Sequence, residues 1–142
     1  MKLFLIAGKA GSGKNEVADI IKKNLNNSIV TGFSKYIKLF ALEFTNWDGR
    51  DFHKPRAVLQ SIGDTLRSVR EDFLTKRIKE DLLVYKKLGI ENVIVSDVRL
   101  INEIEYFKKE KDIEVITIRV NTKTSKKNLN ESEKNHRTEL EL

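Results

Sequence analysis

The chain has 142 residues, within the usual span of one domain (roughly 100–200 residues), so a single domain over 1–142 with one core is expected. Its 39% apolar and 34% charged residues exclude membrane and fibrous classes. No apolar run approaches the roughly 18 residues that cross a bilayer, no signal-peptide pattern opens the chain, and the lack of cysteine excludes disulfides and thiolate metal sites. A cytoplasmic protein with no membrane partner is expected.

A net charge of +6 allows two partners: a nucleic acid, or a small polyphosphate held in a pocket. Acidic residues interleave with basic ones, as in Arg77-Ile78-Lys79-Glu80-Asp81, where a nucleic-acid surface would concentrate one sign in a stripe. Nucleic acid therefore ranks second.

In chain order, the apolar run 3–7 ends at glycines and reads as a strand covered on both faces, central in its sheet. Val17, Ala18, Ile20, Ile21 and Leu25 recur at helical spacing, and 28–31 forms a second strand. Tyr36, Ile37, Phe40, Ala41 and Phe44 give the next helical face, and the polar stretch 45–54, with Trp47 and His53, reads as a loop. Pro55 suits the first turn of a helix carrying Leu59, Ile62, Leu66, Val69 and Phe73. The capping-box spacing Ser68-Val69-Arg70-Glu71 divides this stretch into two helices, the second closed by Leu88-Gly89. Residues 93–95 form a third strand ending at Ser96-Asp97, Ile101, Ile104 and Phe107 lie on a helix, and 115–120 is a fourth strand. Strands alternating with helices predict an α/β domain with a parallel sheet and right-handed crossovers. The segment 121–142 has only Leu129, Leu140 and Leu142 as apolar residues. It reads as a mobile lid-like flap opening into a final helix, with Lys126, Lys127, Lys134, His136 and Arg137 giving it reason to fold over bound polyphosphate.

The strongest chemical signal is Gly8-Lys9-Ala10-Gly11-Ser12-Gly13-Lys14-Asn15, placed between the first strand and a helix. Glycines let backbone amides point at phosphate oxygens, the helix start adds its positive dipole end, and Lys14 reaches the β- and γ-phosphates. Asn15 stands where Ser or Thr usually binds magnesium. Its amide could ligate the metal, hold one of its waters, or serve only the helix start. Asp97 ends an apolar strand at the carboxyl edge where ligands bind. It either holds magnesium or a magnesium water, or caps the helix near Leu100. Lys35, Lys38, Arg56, Arg67, Arg70, Arg99, Arg119 and Arg137 are the candidate cations, and Gln60 the candidate reader of a base edge. Arg56 and Arg67 are three helical turns apart, on one face with Gln60 between them. His53 and His136 lack metal-ligand spacing and read as solvent-facing.

With the glycine loop, Lys54-Pro55-Arg56-Ala57-Val58-Leu59-Gln60-Ser61-Ile62-Gly63-Asp64-Thr65-Leu66-Arg67, Ser96-Asp97-Val98-Arg99-Leu100-Ile101-Asn102-Glu103 and His136-Arg137-Thr138-Glu139 in order, the chain resembles the phage-type deoxynucleoside monophosphate kinases. These are adenylate-kinase-like P-loop kinases, with phosphomevalonate kinase a more distant relative. The resemblance implies a three-layer P-loop kinase fold with helices on both faces of the sheet. It also implies ATP-dependent phosphorylation of a (deoxy)nucleoside 5′-monophosphate, with ATP and Mg2+ as cofactors and small-molecule nucleotides as partners. By the same resemblance Gly8 to Asn15 would bind ATP, and Asn15 and Asp97 would serve the metal. Lys14, Asp97, Arg99 and Arg137 would act on the transferring group, and Lys35, Arg56, Gln60 and Arg67 would line the acceptor site. His136 and Arg137 would belong to the lid. Such kinases continue into another strand and helix, so the fourth strand is expected to present an edge for the C-terminal segment, further residues, or a partner chain in a homodimer. Two other functions stay open: a kinase of the phosphomevalonate or dephospho-coenzyme A type, and a nucleotide-binding protein without transferase activity.

Overall fold

The computed structural model describes residues 1–123 and 129–140. β1 (Lys2–Ala7), β2 (Ser28–Thr31), β3 (Asn92–Val98) and β4 (Glu114–Arg119) form one parallel sheet in the order β2-β3-β1-β4, so β1 is an inner strand as expected. Between them run α1 (Lys14–Asn24), α2 (Ser34–Phe44), a 3-10 turn (Asp51–His53), α3 (Arg56–Val69), α4 (Phe73–Lys87) and α5 (Ile101–Lys108). Two short helices follow, α6 (Glu131–Lys134) and α7 (Arg137–Leu140). No helix among the described residues is long and apolar enough to cross a membrane.

Period-two alternation sorts the strand residues into two cores. Leu3, Leu5, Val93 and Val95 turn toward Phe33, Ile37, Leu74, Ile78, Leu82 and Phe107 of the α2, α4 and α5 layer, which α3 joins through Leu59, Ile62 and Leu66. Ile6 and Ile94 turn the other way, onto Ala18 and Val17 of α1. Each fully buried side chain of this kind contributes about 1.5–3 kcal/mol, enough to make the sheet a rigid platform whose carboxyl edge carries the loops.

Two local expectations are corrected. The capping box at Ser68 does not form: its hydroxyl donates to the Thr65 carbonyl at 2.7 Å, and α4 starts later, at Phe73. Asp97 does not cap α5. Glu103 does, its Oε2 accepting from the amides of Arg99 (2.9 Å) and Leu100 (3.0 Å). In the C-terminal segment, where described, α6 packs against α3, and among the described residues β4 pairs with β1 alone and so stands at the sheet edge, as expected. The expectations for Lys126 and Lys127 lie outside the described residues.

Candidate functional site

The glycine loop leaves β1 at the carboxyl edge of the sheet and enters α1 through Gly13, whose φ of 98° is costly for any residue with a Cβ. Lys14 is 7% exposed, and its ammonium donates to the carbonyls of Gly8 and Lys9, each at 2.7 Å. The loop thus wraps its own cation, holding the positive charge at the base of a cleft. Ala10 to Asn15 line that cleft, while Gly8 and Lys9 contribute backbone only, and the Lys9 side chain is exposed. Two hydroxyls facing the cleft, Ser12 Oγ and Thr31 Oγ1, are buried without a hydrogen-bond partner. Such a group costs about 1–3 kcal/mol unless something bonds to it.

Asp97 lies beside the loop, on the neighbouring strand. Its Oδ1 accepts from the Phe33 amide at 2.8 Å, and its Oδ2 accepts from the amide of Ser34 at 2.9 Å and from the Ser34 hydroxyl. The carboxylate therefore anchors the start of α2, the helix that carries Lys35 and Lys38. Gly32 makes room for it, since a Cβ there would lie 2.7 to 2.9 Å from the three carboxylate atoms.

The opposite wall is α3. Arg56, Gln60 and Arg67 all line the cleft, as do Lys35, Lys38 and Arg99. Arg67 is only 11% exposed and folds back along its helix over Gly63, whose hypothetical Cβ would come 2.9 Å from the guanidinium. Gln60 donates to the Glu133 carbonyl at 3.4 Å. Lys35 is drawn partly aside by Asp81, 3.8 Å away. Burial opposes its charge, but Tyr85 and Asp81 outweigh burial and raise its proton affinity. The volume of the cleft is about 540 Å³, of the size that holds small-molecule ligands (roughly 300–1,000 Å³).

Arg137 is not brought to the cleft: it pairs with Glu71 at 2.7 Å, and that hydrogen bond holds the Glu71 carboxyl below its usual range. His136, expected to face solvent, is half-buried, with Nε2 2.8 Å from Asp64 and Nδ1 2.9 Å from the Thr138 hydroxyl. This docking brings Thr138 into the cleft wall. Arg119 is exposed on β4, and Arg70 pairs with Asp72 at 2.7 Å.

Sequence reasoning missed four contributors. Ser34 and Glu103 act through contacts distant in the chain. Burial pushes Glu103 up to about 7, against the two amides it accepts from and with Asp97 adding to the rise. Gly63 sits one turn before Arg67, a spacing that in a helix predicts contact, so the quoted Gln60–Arg67 segment held that signal. Lys54, in the cleft, is pushed down to about 8 by burial and by the charges of Lys38 and Arg56.

Compared with models of known families and with curated proteins, the chain gives no match. Among the described residues there is no group of three or more acidic or histidine side chains that would hold a metal by itself. Of the two carboxylate oxygens of Asp97, Oδ2 accepts twice and Oδ1 once, which leaves room for a hydrogen bond from a metal-bound water. The donor set fits magnesium that takes its other ligands from phosphates and water, the ion's usual habit at nucleotide sites.

Proposed function

We propose that the protein transfers the γ-phosphoryl group of ATP to a small phosphorylated acceptor, a (deoxy)nucleoside 5′-monophosphate. The observation that carries this reading is a single cleft with the glycine loop and Lys14 on one wall and Arg56, Gln60 and Arg67 on the other. Both walls carry positive charge and Gln60 can address a base edge, so donor and acceptor phosphates would meet between them.

The reaction needs alignment and charge stabilisation more than a base, because the acceptor oxygen is already an anion. That oxygen forms a bond to the γ-phosphorus as the bond to the β–γ bridging oxygen breaks, and ADP leaves with the electron pair. Lys14 neutralises charge on the donor side, while Arg67 and Arg99 do so on the acceptor side and at the transferring group. Asp97 acts at one remove, fixing α2, and with Asn15 would hold magnesium through its waters. When bound, the metal supplies further charge neutralisation to the donor phosphates. The docked C-terminal segment limits water access, which favours transfer over hydrolysis.

A coupled ADP-release assay across a panel of nucleoside monophosphates tests this reading. At least one acceptor should raise ADP formation well above the ATP-only rate. Acceptor-independent release, or none with any monophosphate, would refute it.

A further inference from the structure

Charges that interleave along the chain separate in the fold. Helices that return the chain to a parallel sheet run back against its strands, so α1, α4 and α5 end at the amino edge, the pole opposite the cleft. The strand starts are level there: Lys2 of β1 faces Asn92 of β3 and Glu114 of β4, and Ser28 of β2 faces Asn92. Hydrogen bonds tie the helix ends to that edge. The Ser28 hydroxyl donates to the Lys22 carbonyl at 3.2 Å beyond α1, and the Ile90 amide to the Tyr85 carbonyl at 3.0 Å beyond α4.

All three helix ends carry paired lysines: Lys22 and Lys23 on α1, Lys86 and Lys87 on α4, Lys108 and Lys109 on α5. Because α1 covers one face of the sheet and α4 and α5 the other, the pairs flank the edge from both sides. All six are exposed, and among the described residues none forms an ion pair. The entries to β3 and β4 add three exposed carboxylates, Glu91, Asp112 and Glu114, while Glu110 is taken by Lys79 at 2.8 Å. The pole is therefore cationic. A lysine in a last turn complements the helix dipole with its ammonium in water, a role that leaves all six open to a partner.

We infer that this pole is an electrostatic docking surface for a polynucleotide, held through its phosphates without base readout. Lysines on flexible stems meet phosphate oxygens as point charges. Six of them on three helix ends match a chain of repeated negative charges, where one small dianion would touch few. A flat anionic bilayer would press on the whole pole and bring Glu91, Asp112 and Glu114 against its own charge. A flexible strand can follow the lysines and pass the carboxylates by. None of these residues lines the cleft, and the surface does not depend on kinase activity.

Fluorescence anisotropy with a labelled oligothymidylate supplies the test. With about three or four phosphates contacted at once, at a slope of about −0.7 per phosphate for single strands, affinity should fall roughly 20- to 50-fold between about 50 and 200 mM salt. Lys22→Gln, Lys23→Gln, Lys86→Gln and Lys87→Gln combined should weaken binding at least tenfold and flatten that salt dependence. The corresponding arginine variant, and Arg56→Gln in the cleft, should preserve both. Should the glutamine variant fail to fold, lysine acetylation of the wild-type protein, read by mass spectrometry, gives a second measurement. The oligonucleotide should then protect the six pole lysines and leave Lys35 of the cleft reactive. Unchanged affinity in the glutamine variant, protection at Lys35 and not at the pole, or no oligonucleotide binding at all would overturn the proposal. Capture on phosphatidylserine vesicles in that last case would reassign the surface to a membrane.

Discussion

Replacing Gly32 with alanine probes the junction between the sheet edge and α2. The added Cβ would stand 2.7 Å from Asp97 Oδ2, 2.8 Å from Cγ and 2.9 Å from Oδ1, where ordinary contact begins at 3.4 Å. The carboxylate must retreat by about 0.7 Å. Its donors, the amides of Phe33 and Ser34, adjoin Gly32 in the chain and move little, so bonds of 2.8 and 2.9 Å stretch to the limit of hydrogen bonding. Hydrogen bonds to a charged group contribute about 1.5–3 kcal/mol each, and weakening two should cost about 2–4 kcal/mol. The lower entropy of the unfolded alanine chain returns about 0.4–1 kcal/mol. The net loss, about 1.5–3 kcal/mol, is measurable by urea unfolding followed by circular dichroism. In an Asp97→Ser background the clash is gone, and the same substitution should be neutral or stabilising. A Gly32→Ala protein as stable as the wild type, or one whose penalty survives in the Asp97→Ser background, would refute the reasoning.

Three further expectations follow from the site. Lys14→Ala should lower phosphoryl transfer at least a hundredfold, about 2.7 kcal/mol of transition-state stabilisation, in a protein that still folds; near-normal turnover would remove the glycine loop from the chemistry. At Gly63 the added Cβ would meet the far end of the Arg67 side chain at 2.9 Å and Ile37 Cδ1 at 3.3 Å, so Gly63→Ala should fold with a modest loss of stability and raise KM for the acceptor more than for ATP, as steady-state kinetics would register. Glu103 is raised from 4.5 to about 7, so between those values the folded state holds a proton that the unfolded state has lost. Stability should therefore fall as pH rises from 4.5 to 7, by up to about 3 kcal/mol, and level off above. Glu103→Gln, which keeps an oxygen for the two amides, should flatten that slope in urea unfolding at pH 5.5 and pH 8.

The alternation of short apolar runs with helical periodicity was enough to place all four strands within a few residues, because those signals are local and each strand is bounded by its own turn chemistry. The glycine loop was legible for the same reason: its spacing, preceding strand and following helix are contiguous in the chain. The partners of Asp97 were not, since Phe33 and Ser34 lie more than sixty residues away and meet it only when β2 and β3 align in the sheet. Asp97 could be read from sequence as a metal residue or an α5 cap. Only the packed structure gives it to α2, with Gly32 as the residue that leaves space. Arg56, Gln60 and Arg67 could be assigned to one helical face by counting. That Arg67 turns back over Gly63, that Arg137 is held by Glu71 outside the cleft, and that Lys54 is half-buried within reach of the charges of Lys38 and Arg56 all depend on desolvation and charge in three dimensions. Residue order along the chain encodes neither.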